Sequence, residues 1–306
     1  MELGAERASP TDRHVYLIGR PPMGEFLGFI TEAQGASANL SQLGDEWRRA
    51  NDHILELEQS EMGIADNPSL TDPEPMHRAD EVLNHPVVKR AYSIVPFSVK
   101  MVELDRLVVY QKHINVDFVE QLKASMSGRT DVDSLYSMAF PLHRDLPHVS
   151  RARTAQNAFA FVSPSSDIRL LDAVVLEPDQ VIGYQPAGFP AGIVALVVGF
   201  GSNLLSAIHV EDRLVLSNGS HRAYALRDLG FTHAPFLVQH VSRREELSVI
   251  SRGELVDRTD VYLKSPRPPI LRDYFDPLLR KEIDVPAKVR QVRIAFGDET
   301  LDFPRQ

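Results

Sequence analysis

The stretch LVLSNGSHRAYALRDLG, residues 214–230, decides how the rest of the chain is interpreted. Its apolar start, Leu214 to Leu216, predicts a buried strand, and Ser217-Asn218-Gly219 predicts a tight turn. From His221 to Leu229 the residues favour a helix, which Gly230 ends. A strand, a glycine turn and a helix can together bind an anion, because the unpaired amides and the positive end of the helix dipole face the ligand.

Two interpretations of this turn remain open at the level of the residues. In the first it is a phosphate cradle that begins at Asn218: Gly219 lets the backbone approach the ligand, and Ser220 donates hydrogen bonds. His221 and Arg222 then neutralise the negative charge. In the second, Ser220 only caps the helix and Arg222 lies on the surface. The strand, loop and helix predicted upstream, from Val99 to Met126, and the pair Leu229-Gly230 downstream favour the first interpretation.

Composition limits the classes of protein that the chain can belong to. Of its 306 residues, 43% are hydrophobic and 25% are charged, which is typical of a globular protein. A formal charge of −9 argues against a protein that binds DNA through its phosphates. The chain has no cysteine, which excludes disulfides, thiolate metal sites and cysteine nucleophiles. Neither a signal peptide nor a membrane span is expected, so we predict a cytoplasmic protein with no membrane partner.

Residues 1–75 predict an N-terminal helical extension that ends in a linker. A short strand is expected near His14 to Ile18 and a short helix over Glu25 to Thr31. The linker is Asn67 to Pro75, which carries three prolines and no periodicity. The clearest helix lies over residues 41–60, where one apolar stripe faces either a core or a partner: Leu43, Trp47, Ala50, Ile54 and Leu57.

Residues 76–245 predict the main domain, with an insertion at about 130–190. A strand begins at Val99, a loop covers Tyr110 to Asn115, and a helix covers Asp117 to Met126. Further strands are expected over Ala158 to Val162, Ile168 to Leu176, Leu204 to Val210 and Thr232 to Val241, with Ala191 to Phe200 as a buried strand.

Residues 246–306 predict a C-terminal helix, a proline-rich arm and a possible edge strand. The helix covers Glu245 to Leu255, and Val289 to Phe296 alternates as an edge strand does. Consecutive prolines in Ser265 to Pro269 favour an extended arm. Arg267 and Arg272 flank this arm, which is interpreted either as a clasp in a homodimer or as a loose tail.

Two separated pieces of the chain resemble one superfamily. Val102 to Leu107, Tyr110 to His113 and the helix from Asp117 resemble the opening strand, loop and helix of the ParB N-terminal domain and of sulfiredoxin. The piece GSHRAYAL, residues 219–226, resembles the nucleotide-phosphate motif: Gly-Cys-His-Arg in sulfiredoxin, Gly-X-His-Arg in free-serine kinases and Gly-Glu-Arg-Arg in ParB. The resemblance covers roughly residues 99–128 and 192–242. It implies an α+β fold with a mixed sheet and flanking helices, and a nucleotide at the second piece.

Two positions depart from the patterns of that superfamily. Ser220 stands where sulfiredoxin has its reactive cysteine, so reduction of a sulfinic acid is not expected. Gln111 stands where the kinases have a glutamate base, and an amide cannot take a proton. His113 and Glu103 are the catalytic candidates that could replace this base, and Lys112, beside Gln111, would contact phosphate from the opposite wall. No helix-turn-helix pattern follows residue 241.

Two acidic or histidine-rich segments carry residue types that can bind a metal ion. His143 and His148 flank Asp145, but prolines interrupt the segment, which favours a surface loop. A solvated strand end is favoured over a Mg²⁺ site for Asp172, Glu177 and Asp179. We therefore assign no protein metal centre.

The sequence predicts a protein that binds nucleotide phosphate, with ATP or another nucleotide as ligand and Mg²⁺ as its companion. The activity expected first is that of an ATP-dependent enzyme or phosphotransferase on a small molecule. The alternatives are a nucleotide-gated regulator without turnover and a ParB-like protein associated with DNA. Net charge argues against nucleic acid as a partner.

Overall fold

A computed structural model describes residues 10–35, 38–126, 128–143, 145–183 and 188–300. The chain has an α+β fold and divides into two compact units. Its elements, in chain order, are β1 (Thr11–Leu17), α1 (Met23–Gln34), α2 (Leu40–Ser60), β2 (Leu70–Thr71), α3 (Met76–Asn84), α4 (Pro86–Ala91), β3 (Phe97–Glu103), β4 (His113–Asn115), α5 (Val116–Met126), α6 (Val132–Ala139), β5 (Ser150–Ala155), β6 (Ala158–Ser163), β7 (Ile168–Leu176), β8 (Ile193–Phe200), β9 (Ser206–Val210), β10 (Arg213–Asn218), α7 (Ser220–Asp228), β11 (His233–Val241), α8 (Arg244–Ile250), α9 (Glu254–Asp257), α10 (Thr259–Leu263), β12 (Arg280–Pro286) and β13 (Arg290–Ala295).

The two units do not follow the three segments that the sequence suggested. The first unit combines the chain up to residue 142 with residues 204–287, and the second combines residues 143–203 with the chain from 288 onward. Strand β1 explains why the N-terminal region is not a separate extension. It pairs antiparallel with β4 on one side and with β12 on the other, so the two ends of the first unit meet in one sheet.

A five-stranded mixed sheet forms the centre of the first unit, in the order β10-β9-β11-β3-β2. Strands β9 and β11 run parallel, and the other neighbours run antiparallel. Leu214 on β10 and Leu237 on β11 are fully buried. The buried apolar run that the sequence predicted at Leu214 to Leu216 is therefore confirmed.

Helix α2 confirms the amphipathic helix, and its stripe packs into a core. Leu43, Ala50 and Ile54 are buried beside Phe26 and Ile30 of α1. The indole of Trp47 is partly buried there and donates to the carbonyl of Pro21 (2.8 Å). The stripe is therefore part of the first unit's core.

The linker predicted at Asn67 to Pro75 is wrong. Leu70 and Thr71 form the edge strand β2, which pairs with Val102 and Met101 of β3. The amide of Asn67 also donates to the carbonyl of Asp212 (2.6 Å). Its prolines lie outside the two paired residues, which is why this proline-rich segment can still add to the edge of the sheet.

The segment Ser265 to Pro269 is neither a loose tail nor an arm that reaches out to a second copy, because its centre is buried within the first unit. Arg267 is only 1% exposed and donates two hydrogen bonds of 2.6 Å to the carboxylate of Asp273. It also donates to Glu61 (3.2 Å), which accepts from Arg272 as well. A buried guanidinium needs such carboxylate partners, so the segment belongs to the core of the first unit.

Three smaller predictions are corrected. The loop predicted over Tyr110 to Asn115 ends in the short strand β4. The helix predicted over Glu245 to Leu255 is divided into α8 and α9 around Gly253, whose φ is +69°. The run from Ala191 to Phe200 does form strand β8, but it is not buried, and Val194 is 66% exposed.

The second unit is built from two small sheets. Strands β13, β6 and β5 form one, and β7 and β8 form the other. Strand β13 pairs only with β6 among the described strands, which confirms the edge strand predicted near Val289 to Phe296. Across the described residues, no helix is both long enough and apolar enough to cross a membrane.

Candidate functional site

The strand, turn and helix predicted around Gly219 are all present. Gly219 has a φ of +91°, and a Cβ there would lie 2.7 Å from Leu205 Cδ1. Only glycine satisfies both conditions without strain, because it has no Cβ and adopts positive φ freely. The glycine is therefore required by packing, whatever ligand the turn holds.

The N-cap residue of helix α7 has no side chain with which to cap it. This residue is Gly219, whose carbonyl accepts the first intrahelical hydrogen bond, from the amide of Ala223 (2.9 Å). The interpretation of Ser220 as the cap is therefore wrong, because Ser220 is already the first helical residue. Asn218 and Ser220 are both half-buried, so this helix end is accessible in part.

The structure brings the two pieces of the resemblance side by side. Val108 forms a parallel bridge with Val215 of β10. Two residues further on, the hydroxyl of Tyr110 donates to the carbonyl of Ser217 (3.0 Å). The segment after Val108 therefore runs beside the turn that leads into α7, as the phosphate-cradle interpretation requires.

Gln111 and Lys112, which follow on this segment, have partners within the chain. The amide of Gln111 donates to the carbonyl of His113 (3.2 Å). The ammonium of Lys112 forms ion pairs with Glu25 and with Glu254 (3.4 Å). Lys112 would have to leave at least one carboxylate to reach a phosphate.

His221 is a structural acceptor in this arrangement. The backbone amide of Asn115 donates to its Nε2 (3.0 Å), and its ring stands edge-on to Phe118 with centroids 5.4 Å apart. Burial lowers the pKa of His221 to about 4, and the neighbouring His113, His14 and Arg222 add to this shift. His221 is therefore neutral at pH 7, and the prediction that it neutralises phosphate charge does not fit its surroundings.

Arg222 is 7% exposed, so it does not lie on the surface as the capping interpretation required. It is held in the first unit with the rest of α7, and Ala223 and Ala225 beside it are fully buried. Any contact from its guanidinium to a ligand would have to be made from within the protein.

His113 pairs with a histidine that the sequence did not single out. Its Nδ1 lies 2.9 Å from Nδ1 of His14 on the neighbouring strand β1, and its ring stacks on Tyr16. One nitrogen must donate and the other accept, so at least one of the two rings is neutral. Burial lowers the pKa of His14. No pattern in the sequence indicated that β1 and β4 are neighbours.

Glu103, the second catalytic candidate, is engaged elsewhere. It ends strand β3 opposite His233, and its carboxylate lies 3.6 Å from the guanidinium of Arg106. The structure therefore joins His113 to His14, and it joins Glu103 to Arg106.

A small cavity lies beside the Tyr110 segment. Its volume is about 30 Å³, enough for about one water molecule. Glu254 accepts there from Tyr262 (2.9 Å) and Arg258 (3.1 Å), and Arg20 Nε is buried without a hydrogen-bond partner among the described residues. Residues 218–222 are not part of this wall, so the cavity and the helix end are separate features.

The two segments with metal-binding residue types are exposed. His143, His148 and Asp145 lie in one exposed loop, and Asp172 and Glu177 are exposed, as is Asp179. In the part of the chain that the structure describes, no group of three or more histidine, aspartate or glutamate side chains is placed to hold a metal ion.

Comparison with known proteins finds no matching family model, no matching curated protein and no matching solved structure.

Proposed function

We propose that this chain binds the phosphate group of a nucleotide at the turn from Asn218 to Ser220. The observation that supports this most strongly is the N-terminus of α7, whose N-cap residue is a left-handed glycine and therefore has no side chain to cap the first-turn amides. A phosphate there would accept hydrogen bonds from the first-turn amides and would be stabilised by the helix dipole. ATP is the ligand to test first.

The ParB/sulfiredoxin-like character of the fold is part of the same proposal. It is supported by the mixed sheet and by the parallel bridge from Val108 to Val215, which lays one piece of the resemblance along the other. Because His221 is neutral at pH 7, the attraction would come chiefly from the backbone amides. Lys112 could add to it only by leaving a carboxylate of Glu25 or Glu254. Mg²⁺ would arrive on the nucleotide and keep most of its waters, as it does in sites with few carboxylates.

Phosphoryl transfer to a small molecule is the second candidate, and the histidine pair favours it. A neutral imidazole can accept the proton of a substrate hydroxyl at pH 7. His113 is the base we propose, with His14 orienting it through the Nδ1 to Nδ1 contact of 2.9 Å. The other candidate base, Glu103, lies against Arg106. Without turnover, the protein would be a nucleotide-gated regulator.

The binding proposal is tested by Ser220→Asp against Ser220→Asn. Aspartate at the first helical position stabilises a helix but repels a phosphate, whereas asparagine has the same shape without the charge. We expect the affinity for ATP, measured by calorimetry at low salt, to fall about tenfold or more in Ser220→Asp relative to Ser220→Asn. Equal affinities in the two variants would remove the helix end as the site.

The catalytic proposal is tested separately with His113→Gln. We expect this variant to retain ATP binding and to lose the transfer of the γ-phosphoryl group to an added hydroxy compound, which in the wild-type protein would yield ADP and a phosphate ester. A wild-type protein that binds ATP but transfers no phosphate to any hydroxy compound would support the regulator instead.

A further inference from the structure

The three-stranded sheet of the second unit is basic. Its strands β5, β6 and β13 are each six residues long, and together they contain four arginines and no aspartate or glutamate. Residues that pair across neighbouring strands lie on the same face of a sheet, and β6 lies between the other two strands. One face, which we call the aromatic face, therefore carries three arginines and two phenylalanines: Arg151, Arg153, Phe159, Phe161 and Arg290.

The aromatic face presents exposed rings beside its cations. Phe159 is 39% exposed, and Phe296, directly after β13, is 57% exposed. Their rings are nearly parallel, with an angle of 24° between their planes and 6.3 Å between their centroids. The guanidinium of Arg153 lies 5.8 Å from the centroid of the Phe159 ring. The opposite face of the three strands carries Arg293 but no aromatic ring, so the rings distinguish the two faces.

The arginines of the aromatic face are exposed, and their contacts leave their charge in place. Arg153 donates to the carbonyl of Gln156 (3.1 Å), and Arg290 donates to that of Ser166 (2.9 Å). Neither these two arginines nor Arg151 forms an ion pair with a carboxylate of the described chain. A backbone carbonyl carries no net charge, so the guanidinium groups keep their positive charge and further donors for an anion.

The acidic net charge of the chain does not extend to the second unit. Residues 143–203 and 288–306 contain eight lysines and arginines and eight aspartates and glutamates, so their formal charge is zero with histidine neutral. The charge of −9 therefore belongs to the first unit. Net charge argues against nucleic acid as a partner of the first unit, but it does not do so for this sheet.

We propose that the aromatic face binds single-stranded nucleic acid. Unpaired bases stack on exposed aromatic rings, and arginines beside them bind the phosphates of the backbone. Strands β5 and β13 flank the rings of β6, so the arginines lie on both sides of the position that the bases would occupy. A duplex keeps its bases stacked on one another and would use the arginines alone. An acidic peptide would pair with the arginines but would leave the rings without a stacking partner.

The first test is fluorescence anisotropy of a labelled oligothymidylate of about 12 nucleotides with the full-length protein. At about 50 mM salt we expect saturable binding, with a Kd on the order of 10 µM. A duplex of the same length should bind at least about tenfold more weakly, because its bases cannot reach the rings.

The second test separates stacking from charge. Phe159→Ala should weaken binding about tenfold and leave its salt dependence unchanged, and Phe159→Tyr, which keeps a ring, should restore most of that affinity. Arg151→Gln should lower the slope of log Kd against log salt by about 0.7, the value for one phosphate of a single strand. Because Phe159 belongs to the second unit, a loss in Phe159→Ala would not arise at the turn from Asn218 to Ser220.

The matched control is Arg293→Gln, which removes one positive charge from the opposite face of the same sheet. We expect it to bind the oligothymidylate as the wild-type protein does. Circular dichroism would establish that all four variants are folded.

Three results would overturn the proposal. The first is the absence of oligothymidylate binding at about 50 mM salt with up to about 100 µM protein. Binding to phosphatidylserine vesicles in that case would assign the face to an anionic lipid surface instead. The second is a duplex that binds as tightly as the single strand. The third is an equal loss of affinity in Arg151→Gln and Arg293→Gln.

Discussion

Strands β9–β10 of the first unit and β7–β8 of the second are both antiparallel pairs rich in apolar residues, and they differ in what covers them. Leu214 and Val215 are fully buried, whereas Val175 and Val194 are mostly exposed. Strand β9 lies between β10 and β11 in a five-stranded sheet, but β7 and β8 pair only with each other among the described strands. An apolar run therefore predicts a strand, and its neighbours decide whether the strand is buried.

The largest expected effect tests this comparison with one leucine from each pair. Leu216→Ala removes a side chain that is 2% exposed, so we expect it to lower the free energy of unfolding by about 2–5 kcal/mol. Leu196→Ala removes one that is 40% exposed, and we expect a loss below about 1 kcal/mol. Trp47 lies in the first unit, so its fluorescence during urea unfolding measures the first effect directly.

Circular dichroism would measure the second variant, since it also reports on strands outside the first unit. A Leu196→Ala protein as unstable as Leu216→Ala would contradict the comparison. It would mean that the pair β7–β8 contributes to a cooperative core.

A smaller effect is expected at the turn that leads into α7. Gly219→Ala combines a positive φ with a contact of 2.7 Å to Leu205, so we expect a loss of about 2–4 kcal/mol. Gly230→Ala is the matched control, because Gly230 has a φ of +90° but no atom within 4 Å of an added Cβ. We expect it to cost about 1 kcal/mol.

Thermal unfolding of the two glycine variants separates strain from packing. Both variants carry the strain of a positive φ, but only Gly219→Ala also meets Leu205. The difference between their losses of unfolding free energy therefore measures the contribution of that contact. Equal losses would mean that Leu205 moves aside, and that the turn is held by conformation alone.

The smallest effect is a dependence of stability on pH. The folded pKa of His221 is about 4 and its unfolded value is near 6.5, so the unfolded chain binds more protons between these values. Stability should therefore fall as the pH drops through this window, by about 1.6 kcal/mol from this group between pH 6.5 and pH 5. The lowered pKa values of His14 and His240 act in the same direction.

Urea unfolding of His221→Gln at pH 7.5 and pH 5 isolates the contribution of His221. A glutamine keeps an acceptor for the amide of Asn115, so the variant should lose less stability on acidification than the wild type. Identical pH dependence in the two proteins would show that His221 is solvated and able to carry charge beside the turn.

Much of the fold was accessible from the sequence because it depends on local patterns. The amphipathic stripe of α2, the strand before Gly219 and the helix after it follow from periodicity and from turn residues. Most of the errors come from contacts between residues far apart in the chain, although the break at Gly253 is local. Arg267 of the proline segment is buried because Glu61 and Asp273 surround it, and no local pattern indicates this.

The candidate site was predicted in part for the same reason. Gly219 and the open end of α7 could be located from the motif, because one short stretch builds them. The surroundings of His221 could not, since its partner is the amide of Asn115, 106 residues away. His14 and the charges around Lys112 also come from other parts of the chain, which is why their effects on charge and protonation required the structure.

The most direct test of the phosphate site is an NMR titration of the isotopically labelled full-length protein with ATP. The account predicts saturable shifts of the backbone amide signals of Ser220 and His221, at the same ATP concentration that saturates calorimetric binding. If ATP binds while these two amides remain unchanged and others shift, the phosphate docks elsewhere and the proposed site is wrong.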